Sequence, residues 1–258
     1  MKASFDDEAK KYDYNFTESL IGKAQRNMVH YHIKKHLTKT LNILEINCGT
    51  GVDAIWLAEQ KHNIIATDIS EKMILEASCK TELKNLTFLQ LDLLKVHDKF
   101  KGDNFDFMFS NFGGLNCLTK SDLKNFFQNI PSILHSKSKI ALVIMPKNTI
   151  WEQVYFILKQ RTQEAFRRKK ESVIVNVSNE LITTYYYNPK DIVNLSKSNF
   201  TCIECKPIGF FVPPSYLEPF VKRHQIVFRI LRKLDVVIKS FSFLSKYADH
   251  YLIVLEKK

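Results

Sequence analysis

The chain has 258 residues, of which 45% are hydrophobic, so it has the composition of a soluble globular protein and can bury a sizeable core as one large domain or as a domain with an insertion. No apolar run approaches the roughly 18 residues of a membrane-spanning helix, and the opening MKASFDDEAKK lacks the apolar centre of a signal peptide, which makes the cytoplasm the expected compartment. The formal charge of +11 is concentrated late, with 18 Lys and Arg against 10 Asp and Glu over residues 151–258, a surplus that can attract nucleic acid, an anionic membrane surface or an acidic substrate.

Residues 1–18 read as an irregular arm with docking aromatics, Phe5, Tyr12, Tyr14 and Phe16, and the apolar spacing over 18–36 predicts a helix. Leu41, Ile43, Leu44 and Ile46 form a strand over 41–47, and Gly49 and Gly51 break it before a helix over 52–61. A strand over 63–68 ends at Asp68. Ser70 then caps a helix over 71–80. Strands over 87–91 and 105–110, a helix over 121–135 and a strand over 139–145 stopped by Pro146 complete an alternation that predicts a parallel α/β sheet. Beyond it lie a helix over 150–168 ending in the basic run 167–170, a hairpin of 172–177 and 181–187 with Asn179 near its turn, a helix over 190–198 and a strand over 200–207. A helix running from 217 toward 247 and a strand over 250–256 close the series. Cys202 and Cys205, three apart in a strand, are expected on opposite faces. The scattered cysteines, and His32 and His36 without the carboxylate of HExxH, give no metal site.

The motifs Glu45-x-Asn47-x-Gly49-x-Gly51, Asp68-Ile69-Ser70 and Asp92-Leu93, the strand Phe105-Asp106 and the late strand over 250–256 are together similar to the class I S-adenosylmethionine (SAM)-dependent methyltransferases of the small-molecule type. The resemblance implies an α/β, Rossmann-like sheet of seven strands, mostly parallel with the last strand antiparallel, helices on both faces and helical or hairpin lid insertions. It implies one domain over 1–258, with 1–38 lying over the cofactor and 147–188 and 209–247 forming substrate lids. SAM, leaving as S-adenosylhomocysteine, is the implied cofactor, with no metal. Gly49 and Gly51 would let the backbone approach the methionine part, with Cys48 in the same turn; Asn47 stands where the family has glycine, and Asn tolerates left-handed angles. Glu45 would lie under the cofactor and Asp68 would take both ribose hydroxyls. Ile69 and Met73 would flank the adenine, while Asp92 reads its amino group beside the Leu93 amide. Ser110, Asn111 and Phe112 would face the methyl group, Tyr12 would fold over the cofactor, and Arg26, or Lys23 on the same helix, would reach its carboxylate.

The acceptor would be attacked in line by its own nucleophile, so positioning does much of the work. No base stands out, and His224, Tyr186 with its neighbours Tyr185 and Tyr187, and Asn111 are the candidates. The lids predict an apolar lining from Trp151, Tyr155, Phe211 and Tyr216, with Asn116 nearby, suited to an aromatic, polyketide-like or lipid-like small molecule. Ser110-Asn111-Phe112 stands where Asn/Asp-Pro-Pro-Tyr would mark methylation of planar amino groups, which argues against DNA or protein glutamine. An RNA methyltransferase, suggested by the basic late region, and a non-catalytic SAM-binding module stay open, as do the oligomeric state and a peripheral contact of 217–247 with an anionic membrane.

Overall fold

The computed structural model describes residues 9–177 and 180–258, so Phe5 and Asn179 lie outside the described residues. Helix α1 (Ala9–Tyr12) runs into a π turn at Asp13–Thr17, and α2 (Leu20–Lys34) starts where the Ser19 hydroxyl accepts the Gly22 N–H at 2.9 Å. Strand β1 (Asn42–Ile46), α3 (Val52–Glu59), β2 (Asn63–Asp68), α4 (Glu71–Ser78) and β3 (Leu86–Gln90) follow. After α5 (Val96–Lys99) come β4 (Phe105–Ser110), α6 (Lys120–Asn129), opened by a Thr119–Asp122 capping box, and β5 (Leu134–Ile144). The first late segment holds α7 (Ile150–Leu158), α8 (Thr162–Ala165), β6 (Val173–Val177) and β7 (Glu180–Thr184). Then come α9 (Pro189–Ser196), β8 (Phe200–Ile208), α10 (Glu218–Arg223), α11 (Gln225–Ile238) and β9 (His250–Lys257).

The strand order is β3-β2-β1-β4-β5-β9-β8, with β9 antiparallel to both neighbours and β6 and β7 forming a separate hairpin. Side chains alternate across the sheet with period two. Ile43, Phe107, Phe109 and Val143 face one way and meet Val29 of α2 and Leu57 of α3. Leu44, Ile46, Met108 and Leu142 face the other and meet Phe126 and Phe127 of α6 and Ile192 of α9. This two-layer burial places every parallel strand's carboxyl end, and the start of β9, along one edge.

Four expectations change. The helix expected over 121–135 ends at Asn129, ahead of Pro131, and β5 begins at Leu134 instead of 139. The helix expected over 150–168 breaks at Gln160, whose φ is 58°, and Arg168 then turns inward with 6% exposure. The long helix expected to begin at 217 is two helices, broken at His224 where ψ is 56°. Cys202 and Cys205 share a face, because a bulge between Cys202 and Glu204 brings them opposite Leu255 and Ile253 respectively.

Candidate active site

The turn after β1 has left-handed φ at Asn47 (56°), Gly49 (53°) and Gly51 (76°). At Gly51 a side chain would meet the Phe88 ring at 2.6 Å, so this glycine serves packing. At Gly49 an added Cβ would meet nothing within 4 Å, so that backbone borders open space. Asn47 fills room that Gly114 leaves, since a Cβ on Gly114 would lie 2.5 Å from the Asn47 side chain. Beside the turn, Asp68 accepts the Gly49 and Ser70 N–H groups, each at 2.9 Å. A cavity of about 100 Å³ here is lined by Tyr12, Asn47, Gly49, Asp68, Met73 and Phe112, with Asn111 and Cys117 beside them.

The remaining residues expected at the cofactor lie around this cleft without lining it. Ile69 is an exposed residue just beyond Asp68, Cys48 is buried in the turn, and Ser110 is buried behind Asn47, whose Nδ2 lies 3.5 Å from its hydroxyl. Asp92 caps the short turn that follows it by accepting the Leu94 N–H at 2.9 Å, and Leu93 packs into the core. Arg26 is turned away to Asp53, with its Nε 3.1 Å from a carboxylate oxygen, and Lys23 is exposed on α2.

Asp53, which sequence reasoning passed over, is the hub behind the cleft. It is 5% exposed, lies 2.6 Å from His30 Nε2 and accepts the Asn111 side-chain amide at 3.0 Å. Burial opposes its charge, yet Arg26 and His30 hold its carboxyl well below the usual carboxylate range. The only local hint was an acidic residue in the first turn of the helix after Gly51. Glu45 is buried above it with Oε2 lacking any hydrogen-bond partner among the described residues, and burial first, then the charge of Asp53, pushes its pKa well up. An unpartnered carboxyl beside an open glycine turn fits a ligand that brings its own ammonium group.

A second cavity, of about 260 Å³, adjoins the first, sharing Phe112, Gly113 and Cys117. Met145, Val175, Ile182, Tyr186 and Tyr216 supply its apolar part, and Glu152, Arg167, Arg168, Asp249 and His250 its polar part. Arg168 is the centre of that polar part: its Nε donates to Glu152 at 2.7 Å, and its two terminal nitrogens donate to the Asp249 carboxylate and carbonyl at 3.1 and 3.2 Å. Arg167 also pairs with Glu152. Asp249 further accepts Gln25 Nε2 at 3.1 Å, and its Oδ2 lies 3.1 Å from His250 Nδ1. Burial works against the Asp249 charge, but His250 and Arg168 keep its carboxyl well below the ordinary range. The His250 ring meets Phe112 edge-on at 5.7 Å, and Phe112 has a left-handed φ of 49° at this junction.

The lining is therefore more charged than the sequence predicts. Of the five expected acceptor residues only Tyr216 lines the cavity. Asn116 is fully buried and bonds Met145 and Tyr185 backbone groups, joining the end of β5 to the segment after β7. Trp151 Nε1 donates to the Phe211 carbonyl at 2.9 Å, tying the two late segments together, and Tyr155 packs on Tyr216. His224 is exposed against Phe220 and lines neither cavity. Tyr186 lines the second cavity beneath Arg168, whereas the Tyr187 hydroxyl donates to the Leu118 carbonyl at 2.6 Å and Tyr185 gives its N–H to Asn116. Among the described residues no group of three His, Cys, Asp or Glu is placed to hold a metal ion.

The family model described as Methyltransferase domain matches residues 43–137, the stretch from β1 into β5. A protein of Schizosaccharomyces pombe described as an uncharacterized methyltransferase is 31% identical over 103 residues, covering 39% of this chain and 69% of the relative. The malonyl-[acyl-carrier protein] O-methyltransferase of Bacillus cereus is 29% identical over 165 residues, covering 62% of this chain and 54% of that protein. Among solved structures, DhpI in complex with SAH superposes with a TM-score of 0.63 at 14% identity, covering 98% of this chain and 93% of the other, a likeness of fold.

Proposed function

We propose that this chain, which belongs to the class I SAM-dependent methyltransferases, methylates a small, largely hydrophobic acceptor with one polar end, held in the 260 Å³ cavity. The observation that carries this reading is the shared wall: Phe112, Gly113 and Cys117 border both cavities, so an acceptor in one meets a ligand of the other without crossing solvent. Met145, Val175, Ile182 and Tyr216 suit an apolar body. The charged residues at the other wall suit a hydroxyl or similar group, since Arg168, Glu152 and Asp249 already neutralise one another.

On the cofactor side, Gly49 leaves backbone open to the methionine part, Asp68 offers carboxylate oxygens to the ribose, and the Glu45 carboxyl supplies a partner for the amino group. The bound cofactor supplies a methyl group on a positively charged sulfur, which departs neutral with the electron pair of the broken bond. An acceptor hydroxyl must lose its proton as the new oxygen–carbon bond forms, and His250 is the group placed to take it. Its Nδ1, which makes no hydrogen bond among the described residues, lies 3.1 Å from an Asp249 oxygen, and the ionised Asp249 stabilises the imidazolium that results. Asp249 cannot itself take the proton while Arg168 holds it ionised.

The test is calorimetric titration with SAM followed by a labelled-methyl assay over fractionated cell extract. Wild type binds SAM, and Asp68→Ala weakens binding by more than about tenfold through loss of a charged hydrogen-bond partner. Label enters a small organic-soluble product, and His250→Gln slows its appearance by about 10²–10⁴-fold with SAM affinity unchanged. Label in RNA or protein, or a His250→Gln enzyme as fast as wild type, would overturn the acceptor and base assignments respectively.

A further inference from the structure

Helix α11 buries only Phe228 and Asp235. Opposite them Val227, Ile230, Leu234 and Val237 recur at spacings of three and four, so they form one stripe, and they are 42%, 54%, 39% and 71% exposed. Ile226 widens it at 69% exposure, and beyond the end of the helix Phe241 and Phe243 are 49% and 68% exposed. A helix that merely covers a core turns polar residues outward; this one presents a second apolar face to the outside.

The charges around the stripe have one sign. Lys222, Arg223, Arg229, Arg232, Lys233 and Lys246 are exposed, and Lys239 lies over the Tyr31 ring at 3.8 Å. The two acids in the same stretch both point inward. Glu218 accepts the Leu20 and Ile21 N–H groups at 2.8 and 3.1 Å, and Asp235 accepts those of Phe211 and Val212 at 2.7 and 3.0 Å. Residues 218–246 therefore show the outside an apolar stripe bordered by cations, with both carboxylates spent on anchoring α11 and α10 to the body.

We infer that the outer face of α10 and α11 docks in the plane of an anionic lipid bilayer, the aliphatic stripe entering the acyl boundary and the cations meeting the headgroups. An amphipathic helix with an apolar side and a Lys/Arg-rich polar side binds such an interface through exactly these two contributions. A second copy of the chain would bring the same uncompensated cations against this face, so charge disfavours self-association. RNA answers the cations, but the stripe along α11 is Val, Ile and Leu, and only Phe241 and Phe243 beyond the end of the helix offer rings for bases to stack on. Helix α7 also turns Ile150, Val154, Ile157 and Leu158 outward, and it meets the segment leading into α10 through Tyr155 and Phe156 against Tyr216. The two segments that bound the second cavity thus both have apolar outer faces.

Flotation of the full chain with vesicles tests this independently of the acceptor. Wild type is expected to float with mixed phosphatidylcholine–phosphatidylglycerol vesicles, to remain behind with phosphatidylcholine alone, and to release in high salt. The pair Ile230→Asp and Val237→Asp, and separately Arg229→Glu with Lys233→Glu, each lower the bound fraction by more than about tenfold, while SAM affinity stays at the wild-type value and reports an intact fold. Three results overturn the inference: no flotation of wild type, binding equal on both vesicles, or sedimentation of a dimer that Val237→Asp dissociates. Salt-dependent RNA binding insensitive to Ile230→Asp, without flotation, assigns the cations to nucleic acid instead.

Discussion

Asn47 and Gly114 exchange places in the usual logic of the cofactor turn: the bulk that the first glycine would have spared is taken from a residue 67 positions later. Gly114→Ala drives a Cβ into the Asn47 side chain and is expected to cost about 1–3 kcal/mol of stability, with weaker SAM binding. The double variant Asn47→Gly with Gly114→Ala recovers most of both losses, read by thermal unfolding and SAM titration; equal additive losses would show that the two sites do not touch. The left-handed Asn47 was legible, because Asn is among the few side chains that accept such angles. Its partner was not, since nothing local distinguishes Gly114 from its neighbour Gly113. The same holds for the second cavity. Glu152, Arg168, Asp249 and His250 become one cluster only after the chain has folded, whereas the aromatic residues that stand out in the sequence, such as Trp151, tie segments together.

Among the elements, the strands were legible where they are apolar runs, and β2 and β4 fall where their patterns end. Breaks in helices were not, because Gln160 and His224 carry no breaker signature. The joint between α2 and β8 is likewise long-range. Glu204 of β8 accepts His36 Nε2 at 3.0 Å and Lys35 Nζ at 2.7 Å, with His32 Nδ1 3.6 Å away. Burial opposes its charge, but His32, His36 and Lys35 lower its pKa well beneath the normal glutamate value. A depressed carboxylate binds protons more readily in the unfolded chain, so the stability it contributes is present above about pH 4.3, the ordinary glutamate value, and is lost progressively as pH falls below it. Glu204→Gln is accordingly expected to be about 1–3 kcal/mol less stable than wild type at near-neutral pH. That gap should close on acidification in denaturant titrations; a gap constant with pH would show that the carboxylate's charge contributes nothing.

At the scale of the molecule, the arm packs along the cleft that Tyr12, Gly49 and Asp68 line. Asp13 accepts the Thr50 hydroxyl at 2.6 Å and pairs with Lys80, whose Nζ also donates to the Thr50 carbonyl at 2.7 Å. Phe16 packs edge-on against Phe112 at 4.8 Å, and Tyr12 lines the cleft between these anchors. An arm pinned in this way is expected to gate the passage of a ligand. Asp13→Ala removes one partly exposed charged anchor, so SAM dissociation in stopped-flow is expected to quicken by about tenfold with little change in unfolding midpoint. An unchanged rate would mean that the arm does not gate the cleft. The aromatics of the arm were readable as docking groups, whereas the Asp13–Thr50 latch joins residues with no shared motif.

The insertion of β9 between β5 and β8 has a consequence for biosynthesis. The five strands from β3 to β5 are all made by residue 144, but the edge of β5 that carries Ile140, Leu142 and Ile144 finds its partner only from residue 250 onward. At ordinary elongation rates about a hundred residues take roughly 5–20 seconds to synthesise. Throughout that interval an apolar strand with open hydrogen-bonding groups faces the crowded surroundings of the ribosome, the state in which unfinished sheets pair with the wrong neighbour. Release of a chain stopped short of β9 is therefore expected to yield an aggregating product rather than a weaker enzyme.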